Sequence, residues 1–239
     1  MRLDIYLQNS NNITRSRAQE LIRSKKVCVN GISAKKCGQD VTESDDIVVD
    51  ISGSYVSRAG QKLEGAFSDF GLCVSGLTIL DIGASTGGFC DYCLKNGAKK
   101  VYALDVGTNQ LDEKIKSNSK VVDMSNTDIR KLNLDTVKDI DAFVCDVSFI
   151  SLTNISDVLS KLLNIAKFGV VLIKPQFECG KTIAKKCGGV IKDQKYHKLA
   201  LDSVSHDFEA KGILVKKLTK SKILGKDGNV EFLALIKNN

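Results

Sequence analysis

Three charged residues stand where apolar strands are expected to end or begin, and a fourth precedes the main sheet. Asp146 closes DAFVCD, Lys174 closes GVVLIK directly before the chain's single proline, Pro175, and Glu231 opens VEFLALI; Lys62 lies in YVSRAGQKL, ahead of the first strand of the main sheet. In open α/β sheets ligands sit beyond the carboxyl ends of the strands, so charges there are better placed for chemistry than charges elsewhere. Amines among carboxylates suit proton transfer. A lysine acts as a base only after giving up its own proton, which burial and a second lysine favour, whereas Asp146 and Glu231 oppose that loss yet orient the amines. Taken singly, each residue has a plainer reading, because a lysine after a strand usually faces water.

A second set of candidates surrounds a glycine-rich turn. Residues Thr78 to Phe89 read TILDIGASTGGF, in which Ile79, Leu80 and Ile82 suit a strand buried on both faces. Gly83, Ala84, Ser85, Thr86, Gly87, Gly88 and Phe89 follow, and the glycines let backbone approach a ligand where a helix begins. A dinucleotide turn would be G-x-G-x-x-G, whose second glycine makes room for a pyrophosphate, but Ser85 occupies that place. Pyrophosphate is therefore a poor guest. Asp105 closes VYALD about 20 residues on, where a carboxylate commonly receives ribose hydroxyls. Ribose without pyrophosphate points to S-adenosylmethionine. On its own the string also reads as a tight turn in an unrelated α/β protein.

The elements that must position these residues are TILDI, VYALD, VVDM, DAFVCD, GVVLIK and VEFLALI, separated by helix-length stretches. That alternation predicts an α/β fold: a Rossmann-like, doubly wound, mostly parallel sheet. A chain of 239 residues, 43% hydrophobic and 26% charged, has room for one such core and a small appendage. The longest apolar runs, such as GVVLI, fall far short of a membrane span, and MRLDIYLQNSN lacks a signal-peptide core, so a cytoplasmic enzyme without a membrane role is expected. Eight cysteines are scattered through expected strands and helices and read as reduced thiols. Cys90 and Cys93 form a C-x-x-C, but no second pair lies at zinc-finger spacing, so no metal is expected. His197 and His206, in KYHKLALDSVSHDFEA, have no partner motif and read as core or surface residues.

Charge is uneven along the chain. The net charge is +7, and Met1 to Cys37 carries Arg2, Arg15, Arg17, Arg23, Lys25, Lys26, Lys35 and Lys36 against only Asp4 and Glu20, the footprint of a polyanionic partner. Thr14 can cap a helix through RSRAQELIRSKK, with Ala18, Leu21 and Ile22 on a docking face and Arg15, Arg17, Arg23 and Lys25 left for solvent or phosphate. Val27 and Val29 then alternate into Asn30-Gly31, a hairpin signal with a type I′ turn, and a returning strand follows near Ile47. TRSRAQELIRSKKVCVNG resembles the small α+β RNA-binding domain of small-subunit ribosomal protein four, found also in tyrosyl-tRNA synthetases and RNA-modifying enzymes. The expected organisation is an RNA-binding domain over residues 1–50, a linker ISGS over 51–54, and a catalytic domain over 55–239.

The ordered set YVSRAGQKL, LDIGASTGGF, ALDVGTNQL, CDVSFISL, IKPQFE and GNVEFLALI resembles the TlyA family of rRNA 2′-O-methyltransferases, also called hemolysin A, and more distantly the FtsJ-type methyltransferases. The resemblance implies a Lys-Asp-Lys-Glu tetrad around a ribose 2′-hydroxyl, carried onto Lys62, Asp146, Lys174 and Glu231, with Lys174 as base and Lys62 in support. It also implies S-adenosylmethionine contacts from Gly83 to Phe89, Asp105 on the ribose, Asp128 of NTDIR near the adenine, and Asp146 bordering the methionine moiety. RNA contacts are expected from Arg2, Arg15, Arg17, Arg23, Lys25 and Lys26, and from Arg58 beside Ser57. Ala59 departs from the family, which usually has a second glycine there. The activity implied is methylation of a cytidine in rRNA within ribosomal subunits, with large-subunit rRNA favoured by the chain's shortness, by a monomer needing no metal. The alternatives from other classes are a contact hemolysin, suggested by the older family name, and a noncatalytic RNA-binding protein with a vestigial cofactor fold.

Overall fold

The computed structural model describes residues 1–11, 13–49 and 55–239. The ISGS linker, 51–54, lies outside the described residues. The chain divides into two compact units, Met1–Ser57 and Arg58–Asn239.

In the first unit, helices α1 (Leu3–Asn11) and α2 (Arg15–Arg23) precede a three-stranded antiparallel sheet of β1 (Val27–Val29), β2 (Ile32–Ser33) and β3 (Ile47–Val49), in the order β2-β1-β3. The Thr14 hydroxyl accepts the Arg17 N–H at 3.2 Å, the helix start that its sequence position predicts. Leu3, Leu7, Ala18, Leu21, Ile22 and Val27 are buried together, so both helices turn one apolar stripe to the sheet. Asn30 and Gly31 both take positive φ, 52° and 76°, the type I′ geometry that joins Val29 to Ile32 in register. Arg17 corrects the expectation of a wholly solvent-facing basic side. It is 9% exposed and ion-paired with Glu20 at 2.8 Å, because it neighbours Ala18 and sits one turn before Leu21 on the docking face.

In the second unit, α3 (Ala59–Phe70) leads into β4 (Thr78–Ile82), followed by α4 (Gly88–Lys95), β5 (Lys100–Leu104), α5 (Glu113–Lys116), β6 (Val121–Met124), β7 (Ala142–Cys145), α6 (Ser156–Leu163) and β8 (Phe168–Ile173). Helices α7 (Pro175–Glu178), α8 (Lys181–Lys186) and α9 (Gln194–Ala210) precede β9 (Ile213–Lys220) and β10 (Phe232–Asn238). The sheet order is β6-β5-β4-β7-β8-β10-β9. Strands β4 to β8 are mutually parallel, and β10 runs antiparallel to both β8 and β9. Strand β4, every residue of it buried, is where the strand order reverses, so the crevice between β5 and β7 opens at its carboxyl end.

Strand β9 was not expected. ILVKKLTK buries fully only Ile213 and carries lysines along an edge, so it lacks the apolar run by which the inner strands declare themselves. Its presence explains Glu231: β10 returns antiparallel with Phe232 opposite Ile173, which delivers the residue before β10 to the carboxyl end of β8. The core on one face packs Leu80, Ile82, Phe143 and Val171 against Leu159, Leu162, Val204 and Phe208 of α6 and α9. On the opposite face Phe67 of α3 meets Tyr92 of α4 at 5.3 Å and Phe168 at 6.4 Å between centroids. All eight cysteines are unpaired thiols, and among the described residues no group of three His, Cys, Asp or Glu is placed to hold a metal. No helix among them is long and apolar enough to cross a membrane. His197 is buried with Nε2 2.8 Å from the Ile191 carbonyl, and His206 is exposed.

Candidate active site

The expected tetrad forms two ion pairs at the carboxyl end of adjoining strands. Lys174 Nζ lies 2.6 Å from Asp146 Oδ1 and donates to Ser148 Oγ at 2.7 Å. Lys62 Nζ lies 2.6 Å from Glu231 Oε2. All four side chains are at most 15% exposed, so each charge has exchanged water for its partner. Lys174 follows β8 and precedes the short α7, whose first residue, Pro175, fits a helix start because its missing N–H is not needed there. Lys62 comes from the first turns of α3, which begins at Ala59, so a helix rather than a glycine loop positions it. Buried pairs of this kind contribute little net stability, since desolvation offsets most of the attraction, but losing one partner leaves an uncompensated charge.

The glycine turn adjoins this cluster through Asp146. Gly83 has φ of +82°, and a Cβ there would stand 2.6 Å from the Asp146 carbonyl oxygen, so only glycine lets the two chain segments approach so closely. Asp146 N–H in turn donates to the Ile82 carbonyl at 2.8 Å. Ala84 and Phe89 send their side chains into the core, at 5% and 2% exposure, so the turn presents backbone, Ser85 and Thr86 outward. Ser85 takes a positive φ of 48° while its N–H donates to Asp105 Oδ2 at 2.8 Å; Gly107 N–H meets Oδ1 at the same distance. Each Asp105 oxygen keeps a further lone pair for an incoming hydroxyl. Asp128 caps the turn at Ile129–Lys131 and forks with Arg130 at 2.6 Å, which holds its carboxyl down at about 2.

Behind the turn, Asp81 is wholly buried and accepts the Cys90 thiol at 2.9 Å, with the Cys90 backbone N–H in support. Burial pushes its carboxyl up to about 7; the thiol opposes the shift and nearby Asp146 adds to it. The C-x-x-C thus has a structural use: Cys90 faces Asp81 from α4, and Cys93, also wholly buried, lies one turn on.

Sequence reading missed the residues that shape the mouth of this site. Phe149, 92% exposed and at φ +65°, lies 5.4 Å from the Phe177 ring, and Phe177 in turn lies 5.8 Å from Lys174 Nζ. An exposed aromatic held in a costly backbone conformation, next to the ring that flanks Lys174, is suited to stack a nucleobase. Glu178 fixes that loop, accepting Ser151 Oγ–H at 2.5 Å and Leu152 N–H at 3.0 Å, which explains why IKPQFE accompanies CDVSFISL. Asn229 of GNVEF is buried and bonds Ile191 N–H and the Gly189 carbonyl. The available signal was polar residues within apolar strings, but the sequence does not say which strings meet.

The charged residues expected to bind RNA separate into two kinds. Arg23 and Lys25 are exposed and Lys26 is half-buried. Arg2 and Arg15 are bonded to Asp4, Arg17 to Glu20, and Arg58 Nη2 donates to the Leu224 carbonyl at 2.5 Å.

The FtsJ-like methyltransferase model matches residues 55–238, and the S4 domain model matches residues 1–47. Hemolysin A of Brachyspira hyodysenteriae is 42% identical over 237 residues, covering 98% of each chain. The 23S rRNA (cytidine-2′-O)-methyltransferase TlyA of Campylobacter jejuni is 40% identical over 261 residues, covering 100% of each. A hemolysin-named protein of Streptococcus thermophilus, of solved structure, superposes with a TM-score of 0.77 at 35% identity, covering 100% of this chain and 88% of that one.

Proposed function

The chain belongs to the TlyA family of FtsJ-like methyltransferases, and from that premise we propose that it methylates the ribose 2′-hydroxyl of a cytidine in ribosomal RNA, using S-adenosylmethionine. The observation that carries the reading is the pair of buried lysine–carboxylate contacts, Lys62–Glu231 and Lys174–Asp146, the second of which adjoins the glycine turn through Asp146. Large-subunit RNA is the favoured substrate and the cytoplasm the place of action.

The residues present fit the methyl donor. Carboxylates rather than arginines border the turn, which suits a sulfonium cation and not a pyrophosphate; Asp105 has acceptor capacity for a ribose diol, and the turn offers backbone where a Cβ would collide. When bound, S-adenosylmethionine supplies an electrophilic methyl group. Asp146 is the member of the tetrad that touches the turn, so it ties the two together. Asp128, already holding Arg130, borders the adenine.

Catalysis then rests on placing one oxygen and relieving it of a proton. Lys174 is the residue for the proton: Asp146 and Ser148 fix where Nζ points, and the Phe177 ring covers its approach. Lys62, anchored by Glu231, supplies a second amine that orients the hydroxyl. Phe149 offers a face on which the target base can stack. The amino-terminal unit supplies phosphate contacts that carry no sequence information but set register, so RNA affinity falls steeply with salt.

The test is transfer of labelled methyl groups from S-adenosylmethionine to ribosomal subunits lacking the modification. Wild-type protein transfers; Lys174→Ala loses at least about a thousandfold in kcat, the range for removing a positioned base, while calorimetry finds cofactor binding within a few-fold of wild type. An active Lys174→Ala would overturn the role given to that lysine.

A further inference from the structure

Asp4 in the amino-terminal unit is wholly buried and accepts four side-chain hydrogen bonds. Arg2 Nε meets Oδ1 at 3.0 Å, while Oδ2 receives Arg2 Nη2 at 3.1 Å, Arg15 Nε at 3.0 Å and Gln19 Nε2 at 2.8 Å. Two guanidinium groups, one from the segment before α1 and one from α2, therefore share an oxygen and lie side by side. Both side chains are nevertheless about half exposed, 46% for Arg2 and 49% for Arg15. Arg15 spends only its Nε on the carboxylate, so neither of its Nη groups enters that contact.

Gly38 adds an independent constraint. A Cβ at that position would stand 3.3 Å from Arg2 Cζ and 3.4 and 3.5 Å from its two Nη atoms, so the flat face of the guanidinium lies over the glycine backbone. Arg2 is held edge-on by Asp4 and face-on by Gly38. A long side chain fixed before its ligand arrives loses less freedom on binding, and two adjacent guanidiniums present parallel donors that match phosphate oxygens.

We propose that Asp4 is a positioning residue that sets Arg2 and Arg15 as one phosphate-binding fork for the RNA backbone, with Gly38 as the seat of Arg2. The inference rests on the reading of this protein as an RNA methyltransferase. It makes a prediction opposite in sign to simple electrostatics. Asp4 cancels one positive charge, so Asp4→Asn raises the net charge of the unit, and counterion release alone would tighten RNA binding. Loss of the fork weakens it.

The experiment uses the full chain and purified ribosomal subunits lacking the modification, measuring filter-retained complex across a salt series together with KM and kcat. Asp4→Asn is expected to raise the dissociation constant and KM for subunits about tenfold, with kcat and cofactor affinity unchanged. Arg2→Lys/Arg15→Lys, which keeps every charge but removes both planar groups, is expected to lose as much, and Gly38→Ala to lose less. Thermal melting reports whether each variant is folded; if Asp4→Asn is not, the double lysine variant decides. Binding by Asp4→Asn equal to or tighter than wild type, or wild-type binding by a folded double lysine variant, would overturn the proposal. Direct subunit binding keeps this question separate from methyl transfer: a wild-type protein that binds subunits but does not methylate them refutes the enzymatic reading and leaves the fork to be judged by the same variants.

Discussion

Asp4 of the amino-terminal unit and Asp81 of the catalytic unit are both aspartates hidden from solvent, and their surroundings shift them in opposite directions. Hydrogen bonds from Arg2, with help from Gln19 and Arg15, hold the Asp4 carboxyl well below the usual carboxylate range against the opposing effect of burial. Asp81 meets the thiol and backbone N–H of Cys90, neither of them charged, and burial carries it up to about 7. Asp4 lies shallow, beneath two half-exposed arginines that donate to it, whereas Asp81 lies deep with uncharged donors, so depth and partners together set the direction of each shift. The small unit keeps a charged carboxylate inside in order to hold arginines outside. The catalytic unit sets the buried carboxylates Asp146 and Glu231 against lysines and keeps Asp81, raised by burial, behind its glycine turn.

The largest expected effect probes the turn above Asp81. Gly83→Ala forces a Cβ into the Asp146 carbonyl at a φ that side chains rarely adopt, and is expected to weaken cofactor binding about a hundredfold or more by calorimetry. Affinity within a few-fold of wild type would remove the turn from the site. Next, Leu21→Ala opens the small core and should cost about 2–5 kcal/mol there. Calorimetric melting should show one transition lowered and the other unmoved; a joint shift would mean that the two units unfold together.

A smaller effect separates the two aspartates by pH. For Asp81 the folded value, about 7, lies above the ordinary 3.8, so its contribution to stability is full below pH 3.8 and is lost as pH rises through 7. For Asp4 the folded value is lowered, so its contribution is present above 3.8 and is lost on further acidification. Between pH 4 and 7 the catalytic transition of the wild type should therefore gain several degrees relative to Asp81→Asn as the solution is acidified, while Asp4→Asn matters mainly below that window. Parallel pH profiles for wild type and Asp81→Asn would show that Asp81 is not the titrating group. The smallest effect is at the exposed rim: Arg23→Ala should reduce the salt slope of subunit binding by about one and leave melting unchanged.

Residues whose role follows from their own neighbours in sequence were legible. Asn30-Gly31 announced its turn, Thr14 its cap, and TILDIGASTGGF its strand and close backbone approach. Asp146, Lys174 and Glu231 stood out as charges at strand ends, whereas Lys62, on a helix, was joined to them only by the family resemblance. What escaped was whatever depends on a distant element. Arg17 looked solvent-facing until α2 docked on its Ala18 and Leu21 side. Strand β9 is too charged to be seen without β10 beside it, although it is what turns β10 around and brings Glu231 to Lys62. Ser148, Phe149 and Glu178 acquire meaning only once the loops after β7 and β8 meet.

The central claim, that the buried Lys62–Glu231 and Lys174–Asp146 pairs direct a methyl group to a ribose oxygen, is tested most directly by locating the transferred label. A 2′-O-methyl group removes the hydroxyl that attacks the neighbouring phosphate in alkali, so it protects one linkage from hydrolysis. After methylation by the wild-type protein, alkaline digestion of the subunit RNA should leave the label in a single dinucleotide with cytidine on its 5′ side, and Lys174→Ala should leave none. Label recovered in mononucleotides, which places the methyl group on a base, would contradict the account.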